Sequence, residues 1–163
     1  MKIAVTGTPG TGKTTLSHLY EQEGLKAIHL TEYVKKKGLG EEGEKEFEVD
    51  VEEMREALKN EEFDLLEGHL AHHVPVDICI ILRTRPDKLR ERLNDRDYSD
   101  EKVEENVQSE ILDVVLSEAI EEQETVVEVD TTEKGPEEVF EEVKRKVEKG
   151  ESDYGKFDWT EYL

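Results

Sequence analysis

Residues 7–15 read Gly7-Thr8-Pro9-Gly10-Thr11-Gly12-Lys13-Thr14-Thr15, three glycines interleaved with hydroxyls and closed by a lysine and two threonines. Glycines at this spacing let a backbone turn tightly enough to aim several N–H groups at one anion, and a helix starting at the lysine would add its positive end. The pattern is that of a phosphate-binding loop and implies binding of a nucleoside triphosphate. Lys13 would bridge the β- and γ-phosphates, and the Thr14 hydroxyl would ligate Mg²⁺. Context separates such a loop from an ordinary Gly-rich turn. A strand-like run at 2–6 precedes it, and Leu16, Leu19 and Tyr20 follow at helical spacing.

Further candidates lie downstream. Glu67 ends the run Phe63-Asp64-Leu65-Leu66 and is followed by Gly68-His69. A carboxylate at a strand end can hold the water shell of a magnesium ion or orient an attacking hydroxyl. His69, two residues on along an extended chain, falls on the same side and could polarise a nucleophile. Arg92 and Arg96 stand four apart at the end of a helical pattern, so both would project on one face, where a guanidinium can stack on a base or grip phosphate. The competing role for these two is surface ion pairing with nearby glutamates. His72 and His73 follow, but the spacing His-x-x-His-His on a loop gives little support for a dedicated transition-metal site, and they read as loop caps.

These side chains need a frame. Strand-like runs at 2–6, 26–30, 63–67, 77–83 and 125–130 alternate with helical segments at 13 to about 23, 31–37, 51–60, 86–94, 100–122 and 136–149. That alternation specifies an α/β fold with a parallel sheet, with Pro86 and Pro136 suited to first-turn positions. Stretches 38–50 and 95–100 fit no regular element and lie on connections of the kind that bind ligands. A length of 163 residues suits a single domain, 1–163. At 150–163 the pattern breaks into a tail holding Tyr154, Phe157, Trp159 and Tyr162, whose rings are expected to dock back on the domain.

Composition narrows the function. With 22 basic and 43 acidic residues the net charge is −21, which opposes direct, extended nucleic-acid binding but permits a basic protein partner. Such a surface also suits high salt, where self-repulsion is screened. The lone Cys79 sits in an apolar run, which excludes a disulfide framework within one chain. No apolar stretch approaches membrane-spanning length, so no membrane association and a cytoplasmic location are expected. The chain has no Asn/Thr-Lys-x-Asp guanine-reading motif and no Asp-x-x-Gly switch, and it is short for a motor or AAA-type core. The small-kinase branch of phosphate-loop proteins remains.

The phosphate loop, Glu67-Gly68-His69, Leu82-Arg83-Thr84, Glu91-Arg92-Leu93-x-x-Arg96-x-Tyr98 and Lys102-x-x-x-Asn106-x-Gln108-x-Glu110-Ile111, ending in Glu118-Ala119, together resemble one family. It is that of the small nuclear and archaeal adenylate kinases that double as ATPases in maturation of the small ribosomal subunit, and the resemblance covers nearly the whole chain. It implies a P-loop NTPase fold of the nucleoside-monophosphate kinase type, a five-stranded parallel sheet flanked by helices. A monophosphate-binding arm would lie at about 30–53 and a short lid at about 95–105. It implies phosphoryl transfer from ATP to AMP or a related nucleoside monophosphate with Mg²⁺, ATP hydrolysis, and a basic small-subunit ribosomal protein as partner in rRNA processing. Carried over, Gly10, Gly12, Lys13, Thr14, Thr15, Arg92 and Arg96 bind ATP. Lys13, Glu67, His69 and Arg96 are catalytic, and Thr14 with Glu67, the latter through water, serves Mg²⁺. Two departures stand out: Lys35 occupies the arm where the family often has arginine, and the acid before His69 is Glu67 where relatives can carry aspartate. They leave two alternatives open, an ATP-gated assembly factor with vestigial kinase activity and a kinase of another small metabolite.

Overall fold

The computed structural model describes residues 1–44 and 46–163. In chain order its elements are β1 (Ile3–Thr6), α1 (Lys13–Gln22), β2 (Ala27–His29), α2 (Leu30–Lys37), β3 (Gly40–Glu42), β4 (Phe47–Val49), α3 (Val51–Leu58), β5 (Leu65–Glu67), β6 (Ile78–Arg83), α4 (Pro86–Asn94), α5 (Asp100–Ile111), α6 (Val114–Glu122), β7 (Val126–Asp130) and α7 (Pro136–Lys149). Five strands form one parallel sheet in the order β2-β5-β1-β6-β7. β1 is central, so the phosphate loop leaves the sheet at its middle.

Successive strand side chains face opposite ways, and both faces are covered. Ile3, Val5, Leu65, Ile80, Leu82 and Val129 pack against Leu16 and Tyr20 of α1 and Phe140 and Val143 of α7. Ala4, Leu66, Cys79 and Ile81 pack against α2, α3 and α6 through Val34, Met54, Leu58, Leu116 and Ala119. Burial on both faces explains why 78–82 reads as continuously apolar. A third cluster joins Leu89 and Leu93 of α4 to Val103, Val107 and Ile111 of α5. Each fully buried leucine there contributes about 2 kcal/mol. This cluster seats the α4–α5 unit beside the phosphate loop. Gly10 permits the approach, since a Cβ on it would lie 3.0 Å from the side chains of Leu89 and Leu93.

Two expectations are corrected. The segment 100–122 is two helices, broken at Asp113, which adopts φ 55°. Its carboxylate takes a 2.6 Å hydrogen bond from Arg83 Nη2. That partner, with the tolerance of Asp for left-handed backbone, lets α5 follow α4 while α6 turns to the sheet. The stretch 38–50, expected to be irregular, holds the antiparallel pair β3–β4. The tail does return to the domain: Asp153 pairs with Val127 beside β7, and buried Trp159 lies 4.8 Å from the Arg83 guanidinium. Tyr154 stays 43% exposed. No helix among the described residues is long and apolar enough to cross a membrane.

Candidate active site

Gly12, at φ 101°, turns the backbone into α1, whose first turn carries no acidic residue and no side-chain cap. In a chain with 43 acidic residues, that leaves this helix start electropositive and its N–H groups open to an anion. The Lys13 ammonium donates to the carbonyls of Gly7 at 2.9 Å and Thr8 at 3.1 Å. Burial lowers its pKa to about 8, with Arg96 adding to the shift and Glu67 and Glu110 opposing it.

Glu67 is buried at the end of β5, where Thr14 Oγ1 donates to its Oε1 at 3.0 Å. Its Oε2 lies 3.3 Å from His29 Nδ1, and His29 Nε2 lies 3.0 Å from Glu21 Oε1. A hydroxyl and a carboxylate converging beside a phosphate loop form a hard-oxygen donor set, which fits Mg²⁺. His69 opens onto the same cleft. His69 is exposed to the cleft, yet the protein packed around the imidazole disfavours its charged form and the Lys13 charge adds to the effect, so its pKa falls to about 4 and the ring is neutral at pH 7.

Arg92 lies in the last turn of α4, and Arg96 lies just beyond the helix. Arg92 is not engaged in the glutamate pairing that sequence left open: its Nη2 donates to the Thr131 carbonyl at 2.9 Å and its Nη1 to Thr84 Oγ1 at 3.1 Å. Arg96 is exposed and makes no ion pair among the described residues. The two arginines, Gly10, Gly12, Thr15 and Thr131 line a cavity of about 420 Å³. A second, of about 370 Å³, is lined by Gly12, Lys13, Thr14, Thr15, Glu67, His69 and Arg96. A third, of about 570 Å³, lies under the β3–β4 hairpin and includes Val34, Lys35, Phe47, His69 and Tyr98. The middle cavity shares Arg96 with the first and Thr31, Glu46, His69 and Tyr98 with the third. All nine residues singled out in the sequence therefore meet in one cleft along the carboxyl edge of the sheet.

Several contributors carried no assigned role. Lys102 and Asn106 face the middle cavity, and their four-residue spacing on a helix was a readable signal. Thr8 Oγ1 donates to Glu110 Oε1 at 2.9 Å, while Glu110 Oε2 accepts from Thr84 N at 2.8 Å and Arg83 Nε at 3.2 Å. Arg83 Nη1 also pairs with Glu128 at 2.5 Å, and Gly155 N donates to Glu128 Oε1 at 2.6 Å. This buried network ties the loop to α5, β7 and the tail. Burial raises the Glu110 pKa against the opposing pull of Arg83. His72 is fully buried rather than a loop cap, bonded to Thr6 Oγ1 at 2.7 Å and Glu118 Oε1 at 3.1 Å. His73 Nδ1 lies 2.7 Å from Glu122 Oε2.

A protein-family profile described as "AAA domain" matches residues 3–113. That match corrects the expectation that the chain is short for an AAA-type core. A protein of Thermococcus kodakarensis named "Putative adenylate kinase" is 47% identical, with 99% of this chain and 94% of that protein aligned. A namesake from Natronomonas pharaonis is 45% identical over the full length of both chains. Among solved structures, shikimate kinase of Bacteroides thetaiotaomicron superposes with a TM-score of 0.57 at 20% identity, covering 91% of this chain and 98% of that one. A sugar kinase from Janibacter does so at 0.57 and 15% identity, covering 93% and 98%. Both likenesses concern the fold.

Proposed function

The chain belongs to the archaeal adenylate kinase family of phosphate-loop proteins, and on that premise we propose that it transfers the γ-phosphoryl group of ATP to AMP or a related nucleoside monophosphate. The observation that carries the reading is the chain of three cavities, with the phosphate cavity opening on both sides into larger ones. A hydrolase needs only a water beside the γ-phosphate. A kinase needs room for a second organic substrate there, and the 570 Å³ cavity supplies it. Its Phe47 and Tyr98 rings suit a base, and Lys35 suits a phosphate.

In this reading adenine and ribose occupy the Arg92 side, and the loop N–H groups with Lys13 and Thr15 hold the phosphates. Thr14 and Glu67 would hold Mg²⁺, the latter through water, and its charge would offset that on the phosphate oxygens. Arg96, shared by two cavities, reaches the group in transfer, where charge spreads over its oxygens. His69 is neutral and can accept a hydrogen bond from a water, which supports a slower ATP hydrolysis. Incubation with ATP and each nucleoside monophosphate, shikimate or a hexose tests the reading. ADP formation well above the ATP-only rate is expected with a monophosphate, and acceleration only by a sugar or shikimate would replace it with a metabolite kinase.

The net charge of −21 favours a second reading alongside the first, a basic small-subunit ribosomal protein as partner in ribosome maturation. Pull-down from native extract at the organism's own ionic strength tests it, and recovery of no ribosomal protein above background would remove it.

A further inference from the structure

Lys102 lies in the first turn of α5, fixed there by Ser99, whose Oγ accepts from its backbone N–H at 3.1 Å. Its ammonium reaches across the cleft to the β3–β4 hairpin and donates to Glu46 Oε2 at 3.0 Å, with Glu105 Oε2 farther away at 3.8 Å. Lys102 and Glu46 both line the phosphate cavity, and Glu46 also lines the cavity under the hairpin. The pair therefore stands at the opening between the two. The Lys102 side chain is 28% exposed and that of Glu46 62%, so water screens the pair and the carboxylate is weakly held. A phosphate dianion offers this ammonium twice the charge and three acceptor oxygens.

A second observation comes from the next turn of the same helix. Asn106 follows Lys102 by four residues, on the same face, and lines the same cavity. Its Nδ2 is buried and has no hydrogen-bond partner among the described residues. A buried donor left unpaired is costly, and its position beside Lys102 gives it an anion to serve.

Resting on the phosphotransferase reading, we propose that Lys102 and Asn106 bind the phosphate group an acceptor brings into the cleft, and that Glu46 is a built-in carboxylate competitor which that phosphate displaces. The displaced carboxylate cannot remain beside the new dianion, so binding moves the Glu46 side chain away from α5. The arrangement favours acceptors carrying a phosphate over neutral hydroxyl compounds, because only a phosphate returns to Lys102 the charge it gives up with Glu46.

The test uses inorganic phosphate, titrated by ³¹P NMR into full-length protein saturated with Mg²⁺ and a non-hydrolysable ATP analogue, so that the loop is already filled. Glu46→Gln is expected to tighten phosphate binding about threefold to tenfold, and Lys102→Met to weaken it tenfold or more, with Lys102→Arg near wild type. A purely structural clasp would make the first two variants shift together, because each removes the same bridge. That result overturns the proposal, as does undetectable phosphate binding in every variant. Glu46→Gln is read as a gain, so misfolding cannot imitate it. AMP-dependent ADP formation is measured on the same proteins. If AMP is phosphorylated but the two variants shift together, this inference fails and the kinase reading stands. If no monophosphate is phosphorylated while the opposite shifts appear, the phosphate site stands and the acceptor assignment fails.

Discussion

The Lys13 ammonium is buried with a pKa of about 8, and this gives ATP binding a pH dependence that an ordinary lysine would not. Phosphate oxygens favour the charged lysine, so the bound pKa returns toward the usual value near 10.5 and ATP binds the protonated protein. With a pKa of about 8 before binding, roughly nine-tenths of the molecules are protonated at pH 7 and one-tenth at pH 9. The dissociation constant should therefore rise about tenfold across that interval, or about 1.4 kcal/mol. ATP completes its own last ionisation near pH 7 and adds little above it. The assay is calorimetric titration with a non-hydrolysable ATP analogue at pH 7, 8 and 9, with Lys13→Arg as a control that stays charged and should give a flat profile. The lysine's effect on stability has the opposite slope. Between pH 8 and 10.5 the unfolded chain holds a proton that the folded chain has lost, so this residue's contribution to stability rises with pH across that window. Affinity falling while stability rises identifies a buried lysine that phosphate must recharge. Equal affinity at pH 7 and pH 9 in the wild type would refute the reasoning.

Arg96→Ala is expected to lower the transfer rate tenfold to a thousandfold while ATP affinity changes no more than about threefold, since a guanidinium at the transferring group gains most in the transition state; loss of affinity alone would reassign it. His69→Ala should reduce ATP hydrolysis more than transfer, because water needs orienting whereas an acceptor is held by its own cavity. With the His69 pKa near 4, wild-type hydrolysis should show no His69-dependent ionisation between pH 6 and 8, and such a step, lost in His69→Ala, would count against it. Arg83→Met leaves Glu110 and Glu128 buried without their cation and should cost about 3–5 kcal/mol, or roughly 10 °C in Tm. The Glu110 pKa is already raised, and a raised carboxylate favours the fold below its unfolded pKa and disfavours it above, so the deficit should be larger at pH 8 than at pH 5 by thermal denaturation.

What was legible in the sequence was local. The phosphate loop declares itself because its chemistry lies in nine consecutive residues, and β6 does so because burial on both faces leaves the unbroken apolar run 78–82. The break at Asp113 was not legible, because the residue that stabilises it, Arg83, lies 30 positions away and the segments on either side both read as helix. The β3–β4 hairpin was hidden for a related reason. Its strands are three residues each, β3 is Gly-Glu-Glu, and only Phe47 and Val49 give an apolar face. Glu110 looked like one more glutamate on a solvated face until the fold placed it between Thr8 and Arg83.

The acidic composition and the anionic substrates proposed for the cleft are reconciled by where the cations stand. Lys13, Lys35, Arg92, Arg96, Lys102 and Lys134 line the three connected cavities, against four acids, Glu46, Glu48, Glu67 and Asp95, although acids outnumber bases 43 to 22 in the chain. Two of those acids have cation-directed positions, Glu67 beside Thr14 and Glu46 on Lys102. An anion approaching from solvent thus meets net repulsion until it reaches this one edge of the sheet, where the local balance reverses. Repulsion from the distant surface acts through water and fades with salt, whereas attraction inside a partly buried cleft is screened far less. High ionic strength therefore removes the opposing field before it weakens the binding one, and a strongly acidic surface becomes compatible with a site that gathers phosphate.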